Sequence, residues 1–310
     1  MLSQLPHYTQ SRTAPFSIIA SWVLVDMPVS PIFQEIKLSK PLPTIGVHVF
    51  QSMTARPAPL VLHMPGGTFK ATPLHRPVAE LLARAGAVVV SADYPAGSAH
   101  PFPDAAEAMY ALLRHLSDNR AQWVARHSQL FVAGEEAGGN LAAALTLMAR
   151  DRLGPPIAGQ ILLSPMLDAG MATCSFRDAE AGPVGCKWAD GWTLYLGRAD
   201  TAGHPYAVPA CGTRLHGLPP ALIITTPDDP MRDECLAYAG RLKQAGVSIH
   251  ARALAAQDWP DALALAACPE MPPDWAEPVR SNFADFFAAV LPGLVPSPVA
   301  AAPVTAEGPP

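Results

Sequence analysis

The feature that most limits what this chain can fold into lies near its middle. It is the stretch Phe131-Val132-Ala133-Gly134-Glu135-Glu136-Ala137-Gly138-Gly139-Asn140-Leu141. An apolar run over residues 130–133 stops at Gly134. Glycines and an asparagine follow, and residues 141–150 then carry helical spacing up to Gly154 and two prolines. Strand, glycine turn, helix is the context of the G-x-S-x-G elbow, in which a sharp turn lifts a serine above the end of a sheet. Here the flanking glycines are kept and the central residue is Glu136. The turn can form, but the usual attacking oxygen is absent.

The rest of the chain supplies a sheet for that turn to sit on. Residues 46–52 alternate like a strand. Residues 59–63, 87–92, 157–164, 221–226 and 247–254 are apolar runs of strand length. Helical patterns over 77–85, 104–116, 233–245 and 279–291 separate them. Continuous apolar strands alternating with helices indicate a mostly parallel sheet covered on both faces, an α/β architecture. Residues 1–44 read as an N-terminal lid segment of helices and turns. Residues 45–291 form the main domain, with a lid insertion at about 166–216 that carries Trp188, Trp192 and Tyr195. From 292 to 310 the chain is rich in proline and alanine and is expected to be disordered.

Composition narrows the function classes. A net charge of −5 gives no electrostatic reason to bind nucleic acid or an anionic membrane. No segment reaches the ~18–20 apolar residues of a membrane span. The longest apolar piece, residues 16–25, is read as an amphipathic segment covering a pocket mouth. Cys174, Cys186, Cys211, Cys235 and Cys268 form an odd set without a CxxC pair. They are expected to be reduced thiols in a cytoplasmic protein, with no metal and no cofactor. The expected partner is a small-molecule substrate or ligand, and the expected assembly, if any, a homodimer.

Four motifs in order resemble one family. His63-Met64-Pro65-Gly66-Gly67 is similar to an HGGG oxyanion loop. Asp93-Tyr94-Pro95 with His100-Pro101-Phe102-Pro103-Asp104-Ala105 is similar to DYR…HPFPAA. Gly134-Glu135-Glu136-Ala137-Gly138-Gly139-Asn140 is similar to GDSAGGN, and Asp229-Pro230-Met231-Arg232-Asp233-Glu234 to DPLRDE. Together they resemble the hormone-sensitive-lipase-like branch of the α/β-hydrolase fold, the bacterial esterases and acetylesterases, over about residues 45–291. The resemblance implies that Asp229 is the triad acid. It also implies that His63, Gly66, Gly67 and Ala137 belong to the oxyanion loop and its binding site.

The departures shape the functional expectation. Glu136 stands in the serine's place. Where the histidine is due the chain has Ala255-Ala256-Gln257-Asp258-Trp259-Pro260, and no histidine follows His250. Proline at 65 removes a backbone donor from the oxyanion loop. Ordinary serine-esterase turnover is therefore not expected, unless from another nucleophile such as Ser91 or Ser164. The leading expectation is a repurposed enzyme of lyase, dehydratase, isomerase or cyclase type. In it Glu136 is the general acid or base on a small carbonyl compound, with Asp229 and Asp258 as further carboxylates. The alternatives are a non-catalytic binding protein, as the plant gibberellin receptors of this family are, and a hydrolase with Glu136 as carboxylate nucleophile. His63 reads more readily as loop scaffold than as acid or base. Asp233 and Glu234 read as openers of a helix, and Asn140 as a brace on the elbow helix.

Overall fold

A computed structural model describes residues 31–51, 58–70, 76–179, 184–255 and 273–291, without the side chains of 184–186. Its core is an eight-stranded sheet. The strands are β1 (Ile32–Lys37), β2 (Thr44–Gln51), β3 (Leu60–Met64), β4 (Val88–Ala92), β5 (Leu130–Glu135), β6 (Gly159–Leu163), β7 (Ala221–Thr225) and β8 (Ile249–Ala253). Their spatial order is β1-β2-β4-β3-β5-β6-β7-β8. β1 and β2 run antiparallel to their neighbours, and every pair from β4 through β8 is parallel.

The helices are α1 (Pro77–Arg84), α2 (Asp104–Asp118), α3 (Glu136–Asp151), α4 (Cys174–Ala179), α5 (Val184–Leu196), α6 (Arg232–Gln244) and α7 (Ala276–Val290). Alternate residues of one strand feed opposite faces of the sheet. Val61, Phe131, Ala133, Ile161 and Leu163 pack with Val78 and Leu82 of α1 and with Phe283 and Phe286 of α7. Leu60, Leu62, Val132 and Leu162 pack with α2, α3 and α6 through Leu112, Leu141 and Tyr238. Burial on both faces is why these strands read as unbroken apolar runs.

Two elements differ from the sequence expectation. The N-terminal region was expected to be helices and turns, yet Ile32–Lys37 is a strand on the sheet edge. Only Ile36 of its six residues is buried, and Ile32 and Phe33 face solvent, so it lacks the pattern of a half-buried strand. The rest of the proposed N-terminal lid, residues 1–30, and the tail 292–310 lie outside the described residues. The elbow helix also begins at Glu136, five residues before the helical run that starts at Leu141. Its first turn contains Gly138 and Gly139, poor helix formers in isolation. They are required by contact. A Cβ on Gly138 would lie 2.0 Å from the Met64 carbonyl oxygen, and one on Gly134 2.3 Å from the Gly138 backbone. The helix must press its backbone directly against the ends of β3 and β5.

Because that contact is backbone against backbone, no side chain can move away to admit a methyl group. Gly138→Ala is therefore expected to destabilise the fold by about 1–3 kcal/mol, as overpacking does. A urea unfolding midpoint equal to that of the unaltered protein would contradict the close approach.

Candidate functional site

The elbow, the oxyanion loop and the acid all sit at the carboxyl ends of the parallel strands, where open α/β sheets place their ligands. β5 ends at Glu135 in extended backbone (φ −115°, ψ 151°), and Glu136, the first residue of α3, turns to φ +47°. A left-handed conformation at a non-glycine residue costs on the order of 1–3 kcal/mol and persists only where its surroundings enforce it. The packing of Gly134 and Gly138 does so here. The elbow geometry expected from the retained glycines is present, with Glu136 at its apex.

The carboxylate of Glu136 is 8% exposed as a residue and is held on both oxygens. The backbone N–H of Gly67 donates to Oε2 at 2.9 Å, and the indole Nε1–H of Trp188 donates to Oε1 at 3.1 Å. Its place at the start of α3 sets a negative charge at the positive end of the helix. The N–H of Ala137 rests on the Gly67 carbonyl at 3.2 Å, and Gly67 has φ +108°. Gly67 and Ala137 are thus in direct contact, and the Gly67 N–H is taken by the Glu136 carboxyl.

A buried polar chain fixes the loop from behind. Gly66 N–H donates to Glu135 Oε1 at 2.9 Å, and Glu135 Oε2 lies 2.8 Å from His63 Nε2. His63 Nδ1 is 2.8 Å from Ser91 Oγ, which accepts from Arg76 at 2.7 Å. Ser91 Oγ thus links the Arg76 guanidinium to the His63 ring. Arg76 also pairs with Asp93, and Asp93 reaches His48 at 3.5 Å. His63 is fully buried, which fits its reading as loop scaffold. Ser91 is fully buried as well and is engaged by both neighbours, so it serves this chain. The Tyr94 hydroxyl donates to the Pro65 carbonyl at 3.1 Å. Burial, then the charges of Glu135 and Glu136, push that phenol well above its ordinary range.

Asp229 follows β7. Its Oδ2 accepts from Ser164 Oγ at 2.5 Å and Thr225 Oγ1 at 2.6 Å, and its Oδ1 from the Met231 N–H at 2.9 Å. Burial raises its pKa to about 6 against the pull of those donors. Ser164 has φ +42° and is fully buried, so it too is a brace for the acid. Asp258 lies outside the described residues.

The insertion between β6 and β7 is pinned to the elbow by several bonds. Met166 N–H donates to the Glu136 carbonyl at 3.0 Å. Asn140 Nδ2 donates to the Met166 and Ala207 carbonyls at 2.9 and 3.0 Å, which makes it the brace anticipated. Asp233 and Glu234 lie in the first turn of α6. Buried Glu234 also accepts the Leu167 N–H at 2.9 Å, and burial raises its pKa well above the ordinary value. Trp192 and Tyr195 pack around Phe69, and the Phe69 and Tyr195 rings stack at 4.0 Å. Sequence reasoning missed Glu135, Arg76 and the Trp188 contact. Glu135 could have been found as the acidic neighbour of the elbow residue, whereas nothing in the sequence pointed to Arg76. No cluster of three or more His, Cys, Asp or Glu side chains suited to a metal ion occurs among the described residues.

The profile of the alpha/beta hydrolase fold family matches residues 60–258. Carboxylesterase NlhH from Mycobacterium tuberculosis is 36% identical over 199 residues, which cover 62% of this chain and 62% of that protein, less than two thirds of its length. Esterase LipI from the same organism is 31% identical over 246 residues, 73% of this chain and 75% of the relative. The crystal structure of esterase LipW from Mycobacterium marinum superposes with a TM-score of 0.73 at 31% identity, covering 84% of this chain and 82% of that one. All three are named as esterases. They overturn the expectation of lyase, dehydratase, isomerase or cyclase chemistry in a chain that has lost ester hydrolysis, and point to ester hydrolysis instead.

The raised pKa of Asp229 has a sign that can be checked. Its folded-state pKa of about 6 exceeds the ordinary carboxyl value, so the folded state holds this proton more tightly than the unfolded chain. Its contribution to stability therefore falls as pH rises from about 4 to 6, by roughly 3 kcal/mol if about 1.4 kcal/mol accompanies each pKa unit. In Asp229→Asn this part of the pH dependence is expected to vanish. Parallel stability-against-pH curves for the two proteins would refute the assignment.

Proposed function

Because this chain belongs to the alpha/beta hydrolase fold family, in its hormone-sensitive-lipase-like branch, we propose that it hydrolyses a small carboxylic ester by direct attack of water, with Glu136 as the general base. The observation that carries this reading is the bond from Gly67 N–H to Glu136 Oε2. It marks a spot where the loop already donates to a carboxyl oxygen, as the tetrahedral intermediate of acyl transfer requires for its own oxygen. The esterase names of the relatives supply the substrate class.

The ester's carbonyl oxygen takes the place of Glu136 Oε2 on Gly67 N–H, beside Ala137 N–H. Glu136 withdraws a proton from a water as that water's oxygen bonds to the carbonyl carbon. The carbonyl π electrons move to the oxygen facing the loop. When they return, the carbon–alkoxide bond breaks, and the alcohol leaves with the proton held by Glu136. Glu135, His63 and Gly66 keep the loop in register, and Asp229 keeps the ends of β6 and β7 in place. A neutral substrate suits this site, because Glu136 and Glu135 together repel an anion.

The described cysteines Cys174, Cys211 and Cys235 are free thiols, which accords with the cytoplasmic setting included in this reading. No helix among the described residues is long and apolar enough to cross a membrane.

Purified protein is expected to hydrolyse short-chain aryl esters above the buffer rate without an initial burst. Glu136→Gln should lower kcat by about 10²–10⁴-fold, the usual loss on removing a general base. A single turnover in ¹⁸O-water should put the label in the product acid and none in Glu136. A wild type no faster than buffer, or a Gln variant as fast as wild type, would end this reading.

A further inference from the structure

Trp188 lies in the lid insertion, in α5, yet its side chain is fully buried. Its ring meets Phe176 edge to face at 5.8 Å, and the Lys187 ammonium sits 4.4 Å from its centroid. An indole has a single polar hydrogen, and this one is directed at Glu136 Oε1 at 3.1 Å. The other oxygen of the same carboxylate occupies Gly67 N–H. The resting site is therefore closed by the group that the proposed function requires as a base. Any ester carbonyl reaching Gly67 must displace Oε2, and during that exchange the indole N–H on Oε1 keeps its hold on the carboxylate.

We propose that Trp188 is the positioning residue of the reaction: its indole N–H holds Glu136 Oε1 while Oε2 leaves Gly67, so the carboxylate stays beside the carbonyl with one oxygen available to water. This inference rests on the ester-hydrolase reading and adds a residue to it. A hydrogen bond to a carboxylate stabilises the charged form and lowers its basicity. Losing it should leave Glu136 more basic and less well oriented. Titratable groups near Glu136 among the described residues include Glu135 at the end of β5 and Tyr94 after β4, while Lys187 lies over the indole itself.

Trp188→Phe keeps an aromatic ring and deletes the N–H. It is expected to lower kcat about 10–100-fold, the effect of one charge-assisted hydrogen bond. KM should change little, and the acid limb of the kcat profile should move to higher pH. A residue that only packs the lid would alter KM or thermal stability and leave that limb in place. Where the variant does not fold, the unaltered protein decides the matter through the indole ¹H–¹⁵N resonance of Trp188. That resonance should titrate over the pH range in which activity is gained and become insensitive to pH across it in Glu136→Gln. An active wild type whose Trp188 resonance ignores pH, or a folded Trp188→Phe with an unchanged kcat profile, overturns the positioning role alone. A wild type without ester turnover overturns the function and this role together.

Discussion

Everything at the site depends on a contact between two pieces of main chain. The first turn of α3 lies so close to the end of β3 that the Met64 carbonyl occupies the space where a Cβ on residue 138 would go. That approach does three things at once. It forces the turn at residue 136 into left-handed backbone. It brings the loop carrying Gly66 and Gly67 alongside the start of a helix, where N–H groups and the helix dipole favour negative charge. It also leaves the carboxyls of Glu135 and Glu136 on opposite errands, one bonded to Gly66 and the other to Gly67.

Behind the loop, charge is buried in company. Glu135, His63, Ser91, Arg76 and Asp93 form a line of polar groups through the end of the sheet, and the ion-pair partner of Arg76, Asp93, stays partly open to solvent. Such a line is costly to break, because removing one member strands its neighbours without partners in a low-dielectric interior. Its members come from β3, β4, β5 and the segment before α1, so it ties the oxyanion loop to four separate pieces of chain. It holds the loop where the Gly66 and Gly67 N–H groups meet the carboxyls of Glu135 and Glu136.

Much of this was legible in the residues, and the reasons differ from element to element. The parallel strands were readable because burial on both faces makes them continuously apolar, and the elbow because glycine spacing reports a backbone contact. The place of Asp229 after β7 was readable from its motif. The edge strand Ile32–Lys37 was not, since a strand largely exposed on both faces has no hydrophobic period. Arg76 was not, since its partners Ser91 and Asp93 lie 15 and 17 residues away and only the fold brings them together. Trp188 stood out as a lid aromatic, but the direction of its N–H is a tertiary fact. The chemistry was misjudged for a related reason. The missing serine and histidine are visible position by position, whereas the backbone N–H groups gathered at Glu135 and Glu136 are of a kind every sequence contains, and only the fold brings them together.

The left-handed backbone at residue 136 has a wider meaning. Its strain is imposed by the glycines around it, so the fold bears it whatever side chain is attached. The position behaves as a socket. Different chemical heads can be fitted there over evolutionary time without rebuilding the turn, provided each finds its hydrogen bonds in the loop and the lid. Glutamate finds them in Gly67 and Trp188, one from each.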